Sequence, residues 1–315
     1  MNRCYYCRKK FNEIDTVKEK QQHYHDRCIK KFFGMDEIPS LELVDYISML
    51  ESNISLPGVQ PKLSFGISRK YNKITLINGD NNYILKPQSR DYCLLPENEY
   101  LVMSMANEVG IETVEFSILE SKNNEKIYIT KRIDRKKEGK NNISLSMEDF
   151  AQLNRKLESE KYNGSYEAVA KTIDKYSSYP ILDKNIFLKI IIFSFVVGNS
   201  DMHLKNFSLI ENIPYSNVYR LAPAYDLLSS KIVLPSDDED LALTLNGKKK
   251  NITKNDFKKF CSTIGIDLKQ FNDFVKLLVS KKEILLEMIN NSFLTSDLKE
   301  RLKTIFINNL KRLIL

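Results

Sequence analysis

The segment IIIFSFVV, residues 190–197, and the GNSDMHLKN that follows constrain this chain more than any other stretch. Only Ser194 interrupts the apolar run, which therefore has no polar face to offer water. A helix that is apolar all round belongs in a core, and this run is far too short to cross a bilayer. Asp201, His203, Lys205 and Asn206 come within a few positions of its end. The chain must therefore build a helical core and place four chemically capable side chains at its mouth.

The rest of the sequence is compatible with such a core. At 315 residues, 42% hydrophobic and 28% charged, it has the composition of a globular protein large enough for two lobes. The start, MNRCYYCRKKF, lacks the apolar centre of a signal peptide, so a cytoplasmic location is expected. The net charge of +7 suits anionic partners such as nucleotides or nucleic acid. No block of like charge is long enough to form a nucleic-acid tail. RKKEGK (135–140) and DDED (237–240) read as exposed loops.

Periodicity and turn residues predict an α+β chain in three parts: residues 1–34, 35–134 and 135–315. SLELVDYISMLE (40–51) reads as an amphipathic helix capped by Ser40. KITLINGDNNYILK (73–86) reads as a hairpin turning at Asn78-Gly79, which leads to Lys86 at a strand end. Residues 97–109 form a helix closed by Gly110, and 116–134 a second hairpin turning at Asn123-Asn124. The second half is helical. SMEDFAQL (146–153) carries a capping-box pattern starting at Ser146, helices follow at 166–176 and 184–197, and three more are expected from 253 to 315. FSLI (207–210) and YRLA (219–222) read as short strands.

Cysteines cluster at the start. Cys4-x2-Cys7 and His25-x2-Cys28 have the paired spacing of a structural zinc site, with His23 an alternative to His25.

The polar cluster has the spacing of a phosphoryl-transfer loop. Asp201 can orient and deprotonate an attacking hydroxyl, and Asn206, five positions on, can hold a metal ion. Asp226, in Ala224-Tyr225-Asp226 beyond a strand, adds a second oxygen ligand suited to Mg²⁺. Upstream, Lys86 can reach nucleotide phosphates, with Glu99 on the next helix as its partner. The turn-rich SLPGVQPK (55–62) can cover phosphates with its backbone N–H groups, Gln60 and Lys62. ITKRID (129–134) ends a strand where an adenine-reading hinge would lie, and Asp134 could accept from a ribose hydroxyl. Taken singly, each of these is more often a surface lysine, a solvated helix charge, a local ion pair or a loop histidine. Their joint order is what points to phosphoryl transfer.

Taken together, these motifs make the sequence resemble the HipA family of bacterial toxin kinases. The resemblance rests on SLPGVQPKLS, YILKPQ, ENEYLVMSMANEVGI, YITKRIDR, MEDFAQL, VVGNSDMHLKNFSLI, LAPAYDLLSS and LALTLNGKKKN, which occur in the family's order between about residues 50 and 300. It implies a two-lobed protein-kinase-like fold with a small β-rich lobe and a larger helical one. It also implies ATP- and Mg²⁺-dependent phosphorylation of serine or threonine on a protein, such as an aminoacyl-tRNA synthetase. Asp201 would be the base, and Asn206 and Asp226 the Mg²⁺ ligands. Lys86 would bind phosphates, the backbone of Lys131, Arg132 and Ile133 would read adenine, and Pro57, Gly58, Val59, Gln60, Pro61 and Lys62 would cover the nucleotide. His203, Lys205 and Tyr225 would line the site. Ser55 matches the family's self-inactivating autophosphorylation serine, with Ser52 and Ser64 as competing acceptors. Against the family's long form, the resemblance leads one to expect that the extra N-terminal subdomain is missing and that the cysteine-rich segment takes its place. A HipB-like DNA-binding antitoxin and a separate small HipS-like N-subdomain protein are the partners implied. Two other readings stay open: a kinase-fold phosphotransferase for small molecules, and a regulator that binds nucleotide or antitoxin without turnover.

Overall fold

The computed structural model describes residues 2–41, 62–75, 81–121, 124–138 and 141–315. The expected helix at 40–51, the loop residues Pro57 to Pro61, Ser52, Ser55 and the Asn78-Gly79 turn all lie outside them, apart from the ends of that helix's range at Ser40 and Leu41. Two compact units emerge. One comprises Met1–Tyr100 and Val114–Ile133, the other Leu101–Thr113 and Asp134–Leu315.

The first unit is built on a five-stranded antiparallel sheet. Its strands are β1 (Leu63–Ser68), β2 (Lys73–Thr75), β3 (Tyr83–Lys86), β4 (Phe116–Glu120) and β5 (Lys126–Lys131), in the order β2-β1-β3-β5-β4. The β4–β5 hairpin is the one expected at 116–134. The hairpin expected at 73–86 does not form, because β1 lies between β2 and β3. Leu63, Ser64 and Phe65 pair with Leu85, Ile84 and Tyr83, while Gly66, Ile67 and Ser68 pair with Thr75, Ile74 and Lys73. The tight turn therefore falls just after β1, where Asn72 takes a positive φ of 47°, a conformation that asparagine tolerates. Helix Leu95–Glu108 belongs to this unit as far as Tyr100; its remainder and Gly110 (φ 77°), just after it, belong to the other.

The first 34 residues fall within this unit. Helix Asp26–Phe33 buries Ile29, Phe32 and Phe33, and Tyr24, between it and helix Val17–Gln22, is buried as well. The Tyr24 hydroxyl lies 2.6 Å from both Ser117 Oγ and the Ile118 carbonyl.

The second unit surrounds helix Pro180–Val197. Twelve of its eighteen residues are buried, as the apolar run requires. It begins one turn earlier than expected because Pro180 fits the first helical turn, where no N–H is needed. Three further expectations are corrected in this unit. Met147–Asp149 is a strand (β8), and the helix is only Phe150–Leu153. Asp149 rather than Ser146 is its cap, exchanging capping bonds with Gln152. The first four residues of RKKEGK are not loop: Arg135–Glu138 (β6) pairs with Asn141–Ser144 (β7). DDED is not solvated throughout: Asp240 is buried against Arg312 (2.6 Å), and Asp238 and Glu239 pair with Lys250 and Lys249.

Strands β9 (Ser208–Glu211) and β10 (Tyr219–Leu221) form with β8 a three-stranded sheet in the order β10-β9-β8. Four helices, not three, close the chain: Lys254–Thr263, Leu268–Ser280, Lys282–Asn290 and Ser296–Ile314. No helix among the described residues is long and apolar enough to cross a membrane.

Candidate functional site

In the first unit, β3 ends at Lys86 because Pro87 lacks an N–H and disfavours continuation. The strand is internal to the sheet, and three of its four residues are buried. Lys86 is 3% exposed, and its Nζ lies 2.6 Å from Oε1 of Glu99, which is fully buried on helix Leu95–Glu108. The ammonium also sits 5.4 Å from the Tyr128 ring on β5. A buried ion pair contributes little net stability, because desolvation of both ions offsets their attraction. Its retention fits a lysine held in one place for an anion.

The segment expected to read adenine is more committed than the sequence suggests. The Lys131 N–H donates to Glu115 O and the Arg132 N–H to Asn82 O, so both are already engaged with neighbouring backbone. The Lys131 side chain bonds Glu115 Oε2 (2.6 Å) and Lys31 O (3.1 Å). The Asp134 carboxylate accepts from Arg135 at 2.6 Å, and its carbonyl accepts from Leu145 N. Lys62 is exposed just before β1.

In the second unit, helix Pro180–Val197 stops at Gly198, whose φ is 70°. A Cβ there would lie 2.7 Å from Ile305 Cγ2, so both conformation and space require glycine. The loop that follows is pinned from inside. Asn199 Oδ1 accepts from the Asp201 N–H (3.1 Å), and Asn206 Nδ2 donates to Asp201 O (2.7 Å). The four-residue gap between Asp201 and Asn206 is thus closed by a hydrogen bond across a 3₁₀ turn at Leu204–Asn206. That bond commits the amide nitrogen, so the oxygen is the atom Asn206 would present to a cation.

Tyr225 ties the next segment to this loop, its hydroxyl lying 2.5 Å from Ser208 Oγ and 3.2 Å from Lys205 O. Burial raises its phenol above the ordinary range, so it stays protonated. Asp226 beside it has φ 57°, a left-handed conformation uncommon outside glycine. Such conformations cluster where function fixes a side chain. Asp226 and Asn206 each carry an oxygen of the kind that Mg²⁺ prefers.

His203 is buried, and the Tyr162 ring meets it edge-on at 5.0 Å. Lys205 pairs with Glu158 at 2.6 Å, which lowers the Glu158 carboxyl below its usual range. Tyr162, not anticipated from sequence, donates its hydroxyl to Asp201 Oδ1. Nothing in its spacing marks it. Asn199 was also missed, although an Asn two residues before Asp201 is a known turn-forming signal.

The cysteine-rich segment assembles a second centre. The ligand atoms of Cys4, Cys7, His25 and Cys28 all lie within 4.8 Å of one another. Cys7 Sγ and Cys28 Sγ are 3.4 and 3.8 Å from His25 Nδ1. Tetrahedral zinc with bonds of about 2.0–2.3 Å requires ligand edges of about 3.5–3.8 Å, so these residues fit such an ion. The Cys28 thiol and the backbone N–H groups of Cys7, His25 and Tyr6 donate toward the Cys4 sulfur and outweigh burial. The Cys4 thiol is thereby held below its usual range, as suits a thiolate ligand. Asp15 lies 3.6 Å from His25 Nε2, as an outer carboxylate that orients a metal-bound imidazole does. His23 is not part of the group. It stacks on Tyr5 at 4.7 Å.

The model of the HipA-like C-terminal domain matches residues 54–289. Two curated relatives carry the name "Putative kinase". One, of Haemophilus influenzae, is 26% identical over 269 residues, covering 78% of this chain and 77% of its own length. The other, Y4dM of Sinorhizobium fredii, is 32% identical over 58% of this chain and 47% of its own length. A third, Y4mE from the same organism, is covered over 52% of its length, so this chain spans about half of both Sinorhizobium proteins.

Among solved structures, it resembles a Shewanella oneidensis HipA determined with HipB and operator DNA, with a TM-score of 0.73 and 18% identity over 88% of this chain and 72% of that one. The Helicobacter pylori kinase CtkA gives 0.50 at 19% identity, over 77% of this chain and 91% of that one. At these identities the likeness establishes a kinase-like fold.

Proposed function

The chain belongs to the HipA-like C-terminal domain family, and on that premise we propose that it is an ATP-dependent kinase for a protein serine or threonine. The observation that carries this reading is the buried Lys86–Glu99 pair, an arrangement that protein kinases need for phosphate binding. The Asp201–Asn206 loop supplies the complementary chemistry.

In this reading Lys86 binds nucleotide phosphates and Glu99 keeps its ammonium in position. Asp201 accepts the proton of the acceptor hydroxyl as that oxygen bonds to the γ-phosphorus. The bond from the γ-phosphorus to the bridging oxygen breaks, and ADP leaves with that electron pair. Asn206 and Asp226 would hold Mg²⁺, which when bound offsets the charge of the phosphates. Tyr225 and the Asn199 and Asn206 amides position the loop. His203 packs beneath it, and Lys205 shapes its outer side through Glu158. Lys131, Arg132 and Ile133 are assigned to adenine, through carbonyls and the Ile133 amide, and Asp134 to the ribose. Pro57, Gly58, Val59, Gln60, Pro61 and Lys62 are assigned to the phosphate cover on sequence grounds, and Ser55 to autophosphorylation.

We assign zinc to the four-ligand cluster, since three thiolates and one imidazole favour it. Reduced thiols of this kind suit a cytoplasmic protein. The Shewanella complex supports a HipB-like antitoxin as partner, with DNA reached through it. A HipS-like subunit and an aminoacyl-tRNA synthetase substrate rest on the sequence resemblance.

Labelled ATP-Mg²⁺ incubated with the purified chain and a cell lysate tests the function. Transfer to protein that disappears in Asp201→Ala is expected. Transfer to small metabolites alone would replace the protein-kinase reading. No transfer at all, with nucleotide still bound, would favour a binding regulator.

A further inference from the structure

A segment of 34 residues cannot bury enough apolar surface to fold alone. Here each ligand of the cluster is next to, or one turn from, a residue that joins the segment to the sheet. Beside Cys4, the Tyr5 hydroxyl donates to Glu120 Oε1 (2.8 Å), and the Tyr5 carbonyl accepts from the Tyr100 hydroxyl (2.8 Å). Beside Cys7, the Arg8 guanidinium lies 4.8 Å from the Phe116 ring. Beside His25, Tyr24 donates to the Ile118 carbonyl of the edge strand β4. One turn after Cys28, the Phe32 carbonyl accepts from the Tyr83 hydroxyl (2.8 Å), and the Phe32 ring packs edge-on against Tyr83.

Two of these attachments lead directly to the phosphate-binding pair. Tyr83 begins the four-residue strand that ends at Lys86. Tyr100 is the residue after Glu99. We propose that a thiophilic divalent cation, zinc, in the Cys4–Cys7–His25–Cys28 cluster sets the geometry of the Lys86–Glu99 pair through Tyr5–Tyr100 and Phe32–Tyr83. The cluster is then a metal-dependent control on nucleotide binding. The proposal rests on the assignment of zinc to the cluster made above.

The test uses the full chain, as purified and after zinc removal by a strong chelator, with zinc added back. Zinc content, amide exchange and affinity for a fluorescent ATP analogue are read on the same samples. About one zinc per chain is expected, as for a four-ligand structural site. Removal is expected to speed exchange at 83–86 and 95–100 by about 5–30-fold, the factor that one to two kcal/mol produces. Nucleotide affinity should fall in parallel, and added zinc should restore both. Tyr100→Phe leaves all four ligands in place. It should keep its zinc and speed exchange at 95–100. Metal bound, with exchange and affinity unchanged by its removal, would overturn the coupling and leave the zinc assignment standing. A chain that takes up no zinc even when it is supplied would remove the assignment and the coupling together. The kinase reading is tested separately, by Asp201→Ala.

Discussion

Removing one or both charges of the Lys86–Glu99 pair separates a structural role from a functional one. The two side chains are 4% and 1% exposed and 2.6 Å apart. At an effective dielectric of about 20, the attraction at that 2.6 Å separation is about 6 kcal/mol. Stripping water from the two ions costs several kcal/mol each, so the pair is close to break-even. Glu99→Leu leaves a buried ammonium without its counter-charge and should cost about 3–5 kcal/mol. Lys86→Met combined with Glu99→Leu removes both charges and fills the space with apolar atoms. That double variant should match wild type or exceed it by about 1–4 kcal/mol, yet bind ATP poorly and transfer no phosphate. Urea denaturation and transfer from labelled ATP give both readouts. A double variant that still phosphorylates would show that Lys86 is not the phosphate ligand. A single Glu99→Leu variant as stable as wild type would show that the pair is not shielded from water.

Three other outcomes are expected. Gly198→Ala combines a left-handed backbone costing about 1–2 kcal/mol with overpacking against Ile305 of about 1–3 kcal/mol. Its thermal midpoint should fall sharply, and adding Ile305→Ala should recover part of the loss. Tyr162→Phe removes a hydroxyl that competes for Asp201 Oδ1. It should lower the KM for the acceptor while stability changes by no more than about 1.5 kcal/mol, and an unchanged or higher KM would contradict that role. Finally, burial opposes ionisation of Asp240, but Arg312, the Ile252 N–H and Lys231 outweigh it and hold its carboxyl below the usual range. A depressed folded value means stability that is complete above the unfolded value of about 3.9 and is lost as pH falls through the folded one. Denaturation midpoints measured from neutral pH down to pH 3 should show this acid-side loss in wild type and a shallower one in Asp240→Asn.

Several parts of the site could be read directly from the chain, because they depend on neighbours in sequence. Lys86 at a strand end is marked by Pro87, and the Asp201–Asn206 turn by its own spacing. The Cys4–Cys7 and His25–Cys28 pairs announce a common centre, although choosing His25 over His23 took the stacking of His23 on Tyr5. Local patterns failed where a hydrogen-bonding edge had to choose between partners. The strands of 73–86 looked like a hairpin because they are adjacent in sequence, yet β1 satisfies both of them. DDED looked solvated because its partners, Lys249, Lys250 and Arg312, are brought to it by folding.

By itself, the sequence determined which segments are buried, which end in turns, and which residue types stand ready for phosphate or metal chemistry. Periodicity, proline and glycine act over a few residues, and so they leave a visible trace. Tertiary structure alone decided that Tyr162 reaches Asp201 across 39 positions, and that the neighbours of the cysteine–histidine cluster grip the sheet beside Lys86. Those contacts join residues far apart in the chain. They exist only because burying the apolar faces forces the polar groups on them into one shared arrangement.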